Sequence, residues 1–396
     1  MNSTKIMIYS IGNMLVMISV GMYYALSRPY VGIDLGGGDY WVLVLVGVEY
    51  GVSITALIWG ALADHIGRRR IILLAPLGSI PLYLIFRTRD PMVFTVLAGL
   101  TYAFWSIGFA PSISAVLTRK KSAGRYFTFY ALGGSIGWGI GTSIAWPIYY
   151  VFGVEALSII LSLCFGIGYL WQYILYPMEA TAVARLHPIE IARLGLKKLW
   201  YFTLAIIFGT AGFLMGTTVL AVRLTYNVED IMQNLVGSIP PRLFYGIFYG
   251  GIPALASIPS RFLAGKLVMK YMPYRLYIFS IIAYAGIITG MWFSSGIVFI
   301  ILWLTPLYPF YDTSIYVGAS LKVKGIEATA SGIVVMAQSL AGLLVSVITS
   351  LIPIAHSIYI LYTTLLLTIF STILIIYSIR VESEKNYILT SLLPAR

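Results

Sequence analysis

The sequence predicts an all-α membrane protein, with twelve transmembrane helices arranged as two pseudo-symmetric six-helix bundles. Three observations carry that prediction. Of the 396 residues, 59% are hydrophobic and only 10% charged, and the mean hydropathy is +0.90; soluble domains run about half apolar and about a quarter charged. The apolar residues come in blocks near 20 long, enough for a helix to cross a hydrocarbon layer roughly 30 Å thick. A polar stretch at the midpoint, 178–199, leaves six blocks on either side.

In chain order the blocks are 7–31, 40–63, 71–87, 91–117, 126–150 and 156–177, then 200–222, 243–263, 275–293, 295–318, 328–353 and 357–380. The first is too long for a secretory leader and lacks a small-residue cleavage site, so it reads as a retained helix. An even number of spans puts both termini on one side. Of the 26 basic residues, Arg28, Arg87, Arg89, Arg223 and Arg242 fall opposite the termini, and the rest, including Arg68, Lys120, Arg185, Arg261 and Arg396, fall with them. The positive-inside rule then predicts a cell-membrane protein with both termini cytoplasmic. It also accounts for the formal net charge of +12 without a nucleic-acid partner.

Ionisable groups inside a span are costly and mark functional candidates. In the first span, Asn13, Met17, Gly21, Tyr24 and Arg28 share a face. Arg28 either pairs with Glu49, binds an anionic substrate or snorkels to the interface. In the second span Glu49 lies about nine residues in, followed on one stripe by Ser53, Ala56 and Gly60, small residues that mark a packing face. Glu49 therefore points into protein, either to carry a proton or to hold a structural hydrogen bond. Trp105 in the fourth span and Trp138 in the fifth are cavity candidates, with plain packing as the alternative. Gly133, Gly137 and Gly141 make a close-packing stripe. In the linker, Ile191, Leu194 and Lys198 suit either a short helix on the inner leaflet or a solvated connection. In the tenth span Thr305, Tyr308, Asp312 and Tyr316 form a polar stripe beside Pro306 and Pro309, whose missing donors loosen the helix. Asp312 either binds a cation, carries a proton, holds a gate or sits at the interface.

After the second span comes Gly60-Ala61-Leu62-Ala63-Asp64-His65-Ile66-Gly67-Arg68-Arg69-Arg70, and after the eighth Gly265-Lys266-Leu267-Val268-Met269-Lys270-Tyr271-Met272-Pro273-Tyr274-Arg275. An offset of 205 superimposes the glycines, Leu62 on Leu267 and Arg70 on Arg275, with Met269 in place of Asp64. Duplicated halves meeting at a central site are a carrier architecture. Gly60 to Arg70 resembles the signature loop between helices 2 and 3 of the major facilitator superfamily, and Glu327-Ala328-Thr329-Ala330-Ser331-Gly332 is similar to the start of helix 11 in many members. The resemblance covers essentially the whole chain and implies domains at 1–177 and 200–396 joined by a cytoplasmic linker, 178–199. It implies a gating role for Asp64, Gly67 and Arg68, beside Gly60. The physics agrees: the glycines permit close approach and a tight turn, and Asp64 can pair with the arginines or cap a neighbouring helix. A purely topogenic role for the arginines is the alternative. The glycine-rich fifth span vaguely resembles that of the family's antiporters, but Trp138 and Thr95 depart from the antiporter pattern.

The residues argue against several other classes. A single cysteine, Cys164, and scattered His65, His187 and His356 offer no metal cluster and no activated nucleophile. No phosphate-cradling loop is present, and no cofactor or enzyme activity is expected. The expected function is secondary active transport of a small organic solute by alternating access, coupled to a proton or another cation, by a monomer in the bilayer. A facilitative uniporter or multidrug efflux carrier is the alternative within that class, and a non-transporting membrane sensor with the carrier fold is the alternative outside it.

Overall fold

The structure, a computed structural model, describes residues 3–177, 184, 186–236, 242–351 and 358–392. His356, Arg185 and Arg396 lie outside the described residues. Within them every regular element is helical. The first half comprises α1 (Ser3–Pro29), α2 (Gly38–Ser53), α3 (Ala56–Ile66), α4 (Arg68–Ile72), α5 (Ser79–Ile85), α6 (Pro91–Leu117) and α7 (Ala123–Ile174). The second comprises α8 (Pro188–Val236), α9 (Arg242–Gly246), α10 (Ile252–Tyr271), α11 (Pro273–Trp292), α12 (Gly296–Trp303), α13 (Tyr308–Lys322), α14 (Glu327–Leu351) and α15 (Ile358–Leu392). Helices are demanded by the solvent: in hydrocarbon a backbone must satisfy its own polar groups.

Among the described residues, nine stretches are long and apolar enough to cross a membrane. Where the expected blocks differ, the cause is local. The blocks at 126–150 and 156–177 are the two helical arms of α7, separated at Gly153, whose non-helical backbone (φ 77°, ψ −178°) only glycine adopts without strain. The block at 71–87 is divided into α4, a 3-10 turn at Ala75–Gly78 containing Pro76, and α5. The block at 243–263 begins with α9 and a π-helical turn, Ile247–Gly251, before α10. The linker also differs: 188–199 is neither a leaflet helix nor a solvated connection but the first turns of α8. Ile191 is fully buried, and Gly195 packs against Thr329 and Ile333 of α14, an apolar neighbour the linker's own pattern does not reveal.

Backbone proximity builds the interior. Gly133, Gly137 and Gly141 of α7 face the carbonyls of Ser10, Met14 and Ile18 on α1, where a Cβ would come within 2.5, 2.1 and 2.2 Å of oxygen. Gly60 of α3 and Gly332 of α14 meet Ala328 and Ala56 in the same way, each 2.4 Å from a carbonyl oxygen. Gly124 of α7 lies against Gly265 of α10. Small residues allow such approach without a hydrophobic drive between helices. Large apolar side chains are left exposed on α5 (Ile80, Leu84), the far arm of α7 (Leu163, Ile167), α11 (Phe279, Ile282) and α15 (Phe370, Ile373), the surfaces that meet lipid.

Gly137→Ala should lower the thermal unfolding temperature in detergent, because its methyl group must displace the Met14 carbonyl, an overpacking cost of about 1–3 kcal/mol. Gly47→Ala, with open space around its Cβ, should be neutral or stabilising, since alanine favours helix by about 1 kcal/mol. Equal losses at both positions would refute the close-packing account.

Candidate functional site

Three buried groups of charges and one cavity define the interior. The first lies where α3, α4 and α14 meet. Gly67, with φ of 109°, turns the chain between α3 and α4, which brings Arg68 back beside Asp64, Nε 2.7 Å from Oδ1. Asp64 also accepts from the backbone N–H groups of Ala328 (3.3 Å) and Thr329 (2.8 Å) and from Thr329 Oγ1 (2.7 Å). It thus caps the amino terminus of α14, a helix from the other half of the chain, where the macrodipole favours an anion. Arg68 Nη2 reaches Glu327 at 2.7 Å, and Lys120 Nζ reaches the same carboxylate at 3.0 Å while donating to the carbonyl of Ser320. Asp64, Arg68 and Glu327 are 0, 1 and 4% exposed. Burial alone works against the charge of Arg68, yet Asp64, with Glu327, holds its guanidinium above the ordinary value.

The second group lies toward the opposite end of the first half. Glu49 is 1% exposed; it accepts from the Tyr23 hydroxyl and from Arg28, whose Nη2 is 2.5 Å from Oε2. Arg28 stacks over the Tyr24 ring, 4.4 Å from its centroid, and is about a quarter exposed. The third group joins the halves. Arg261 Nη2 of α10 lies 3.0 Å from Asp312 Oδ2 of α13, and its Nε donates to Ser135 Oγ of α7 at 3.1 Å. Tyr308 lies under the guanidinium and its hydroxyl reaches Ser257 and Ser135.

Between the second and third groups is a cavity of about 230 Å³. Its wall combines Tyr23, Tyr24, Tyr50 and Trp105 from the first half with Thr210, Tyr284, Tyr308, Asp312 and Gln338 from the second. The buried Ser19 Oγ and Trp105 Nε1 at this wall have no hydrogen-bond partner among the described residues.

The candidates from sequence are thus distributed unevenly. Tyr24, Trp105 and Asp312 line the cavity. Glu49 stands behind Tyr23, and Arg28 behind Tyr24. Asn13 and Trp138 do not line it: Asn13 Nδ2 donates to the Tyr130 carbonyl at 2.9 Å and so ties α1 to α7, while Trp138 packs on Tyr24 with ring centroids 5.3 Å apart. Both face α1–α7 or α7–α10 contacts because the glycine stripe pulls those backbones together. Arg261, counted from sequence among the basic residues on the side of the termini at the end of the 243–263 block, is a buried intrahelical residue, 4% exposed; α10 continues to Tyr271, so the arginine sits well inside the helix. Ser257, Arg261 and Gly265 at four-residue spacing were the available signal. Glu327 was likewise missed as the shared partner of Arg68 and Lys120, since only the fold brings the three together. Thr305 falls in the break between α12 and α13, and Tyr316 is buried against Gln338 at 3.0 Å.

Helical halves meeting around a membrane-buried cavity, with paired charges on its wall and at one end, define a membrane carrier. The Major Facilitator Superfamily is the family: its sequence model matches residues 9–346, and the chain belongs to it. A search of the curated proteins finds no significant match. Among solved structures, the chain is similar to a bacterial homologue of the iron transporter ferroportin in an outward-facing state (TM-score 0.69, 13% identity, covering 95% of this chain and 98% of that one). It is also similar to the human organic anion transporter MFSD10 (TETRAN) (0.65, 13%, 94% and 100%) and to a mutant of the nucleoside transporter NupG (0.64, 14%, 94% and 98%).

Removing one member of a buried pair costs about 3–5 kcal/mol, and somewhat less where one partner is partly exposed. Arg28→Met and Glu49→Met should each lower the unfolding temperature markedly, and the double variant should recover most of the loss. Additive losses in that double-mutant cycle would show that the pair is not coupled.

Proposed function

We propose that this chain is a secondary active transporter that moves a small organic solute by alternating access and is coupled to a proton, with Asp312 or Glu49 as the titrating group. The observation that carries this reading is the cavity of about 230 Å³ shared between the halves, with the Asp312 carboxylate on its wall. A centre filled by bulky side chains would have favoured a sensor. The structural neighbours are named for an organic anion, nucleosides and iron, so the shared fold serves unlike cargoes and supports carriage without naming one.

In this reading, 1–177 and 200–396 rock as two bodies about the cavity, joined by 178–199, in a monomer at the cell membrane. The Asp64 end faces the cytoplasm with both termini, as the distribution of lysine and arginine favours. Asp64, Gly67 and Arg68 act there as a gate, with Gly60 giving α3 its close approach to α14. The gate is asymmetric because Met269 stands where a second aspartate would be. With Asp64 capping α14, this end is held shut; opening it requires the cap and the Arg68–Glu327 pair to part together.

In proteoliposomes, a panel of labelled amines, carboxylates, nucleosides and sugars should include at least one solute that accumulates above equilibrium under an imposed pH gradient and is released by a protonophore. Uptake indifferent to the gradient would favour the uniporter, and no uptake at all the sensor. The gate is tested separately. With spin labels at Lys121→Cys and Lys324→Cys in a Cys164→Ser background, Asp64→Ala should lengthen and broaden the measured distance distribution. An unchanged distribution would rule out Asp64 as the element that holds this end closed.

A further inference from the structure

We infer that the central cavity binds an organic monocation, with the outward oxygen of Asp312 as its counter-charge and the surrounding aromatic rings as its cage. This rests on the carrier reading above and goes on to name the substrate class of the same site. Among the described residues lining the cavity, Asp312 is the one that carries a charge. Its ion pair is oriented. Arg261 holds Oδ2 from behind, at 3.0 Å, and is itself 5% exposed at the side chain, whereas Asp312 is 29% exposed. Oδ1 takes no hydrogen bond from the described residues, so the negative end of the pair faces the cavity and the positive end faces the protein.

The walls fit the same ligand. Tyr24, Tyr50, Tyr102, Trp105, Phe213 and Tyr284 line the space, and the faces of aromatic rings carry partial negative charge that attracts ammonium groups. An anion entering here meets the carboxylate before it can reach Arg261. The nearby Arg28 offers no alternative, because it is bound to Glu49 and is not on the wall. A neutral donor could hydrogen-bond Oδ1, but it brings no counter-charge and gains far less from the ring faces. Only a cation both satisfies the carboxylate and gains from the rings.

The test is calorimetric titration of the purified protein in zwitterionic nanodiscs with benzyltrimethylammonium, benzyl alcohol and benzoate, three probes of similar size and different charge. The cation should bind at least tenfold more tightly than the other two. Arg261→Gln separates the signs of charge: an anion receptor would lose its ligand in this variant, whereas here the cation still binds more tightly than benzoate. Asp312→Asn should weaken the cation at least tenfold. Because that change leaves Arg261 buried without a partner, the double variant Asp312→Asn/Arg261→Gln serves as the second reading and should also lose the cation. Tighter binding of benzoate, equal binding of all three probes, or undiminished cation affinity in the double variant would overturn the inference. The carrier reading fails on a different measurement: benzoate preference with solute uptake in proteoliposomes sinks only the cation assignment, and Asp312-dependent cation binding without uptake of any solute sinks only transport.

Discussion

A charge enters the interior of this protein only together with its counter-charge, and that constraint organises everything else. Transferring an unpaired ion out of water costs several kcal/mol even after relaxation, so Asp64, Glu49 and Asp312 each have an arginine within hydrogen-bond distance. The partners come from different elements in all three cases, which makes each pair a statement about helix placement. Asp64 goes further, because its remaining oxygen capacity satisfies the orphan amide donors at the start of α14. One carboxylate thereby neutralises a guanidinium and completes a helix terminus belonging to the other half.

The second determinant is how near the helix backbones can come. Lipid gives no hydrophobic force between helices, and dispersion over a close interface replaces it. Glycines supply that closeness along α1 and α7, along α3 and α14, and between α7 and α10. The two latter contacts connect opposite halves, so the halves themselves are closely apposed.

Two interruptions in the helices lie near the Arg261–Asp312 pair. The break before α13 precedes Asp312 by one turn, and the π-helical turn before α10 lies about two and a half turns from Arg261. Such segments are tolerated at membrane depth only where protein or a cavity surrounds them.

Composition and patterning by themselves determined the class of this protein. Blocks of apolar residues of bilayer length, basic residues in the connections and the Gly60 to Arg70 loop specify a helical carrier, because hydrocarbon leaves the backbone no other way to cross and because topology follows charge. The packing role of Gly137 and the burial of Glu49 were legible for the same reason: a glycine stripe or a carboxylate within a span has few alternatives. Only the tertiary structure decided which groups share the cavity. Asn13 and Trp138 lie on apparently suitable faces but are consumed by helix contacts, Arg261 lies near the expected end of its block until α10 is seen to run on to Tyr271, and Glu327 becomes the partner of both Arg68 and Lys120 across more than 200 positions of chain. Periodicity reports which side of a helix is polar. It does not report what stands opposite, and in a bundle the opposite residue comes from a distant segment whose approach is fixed by packing.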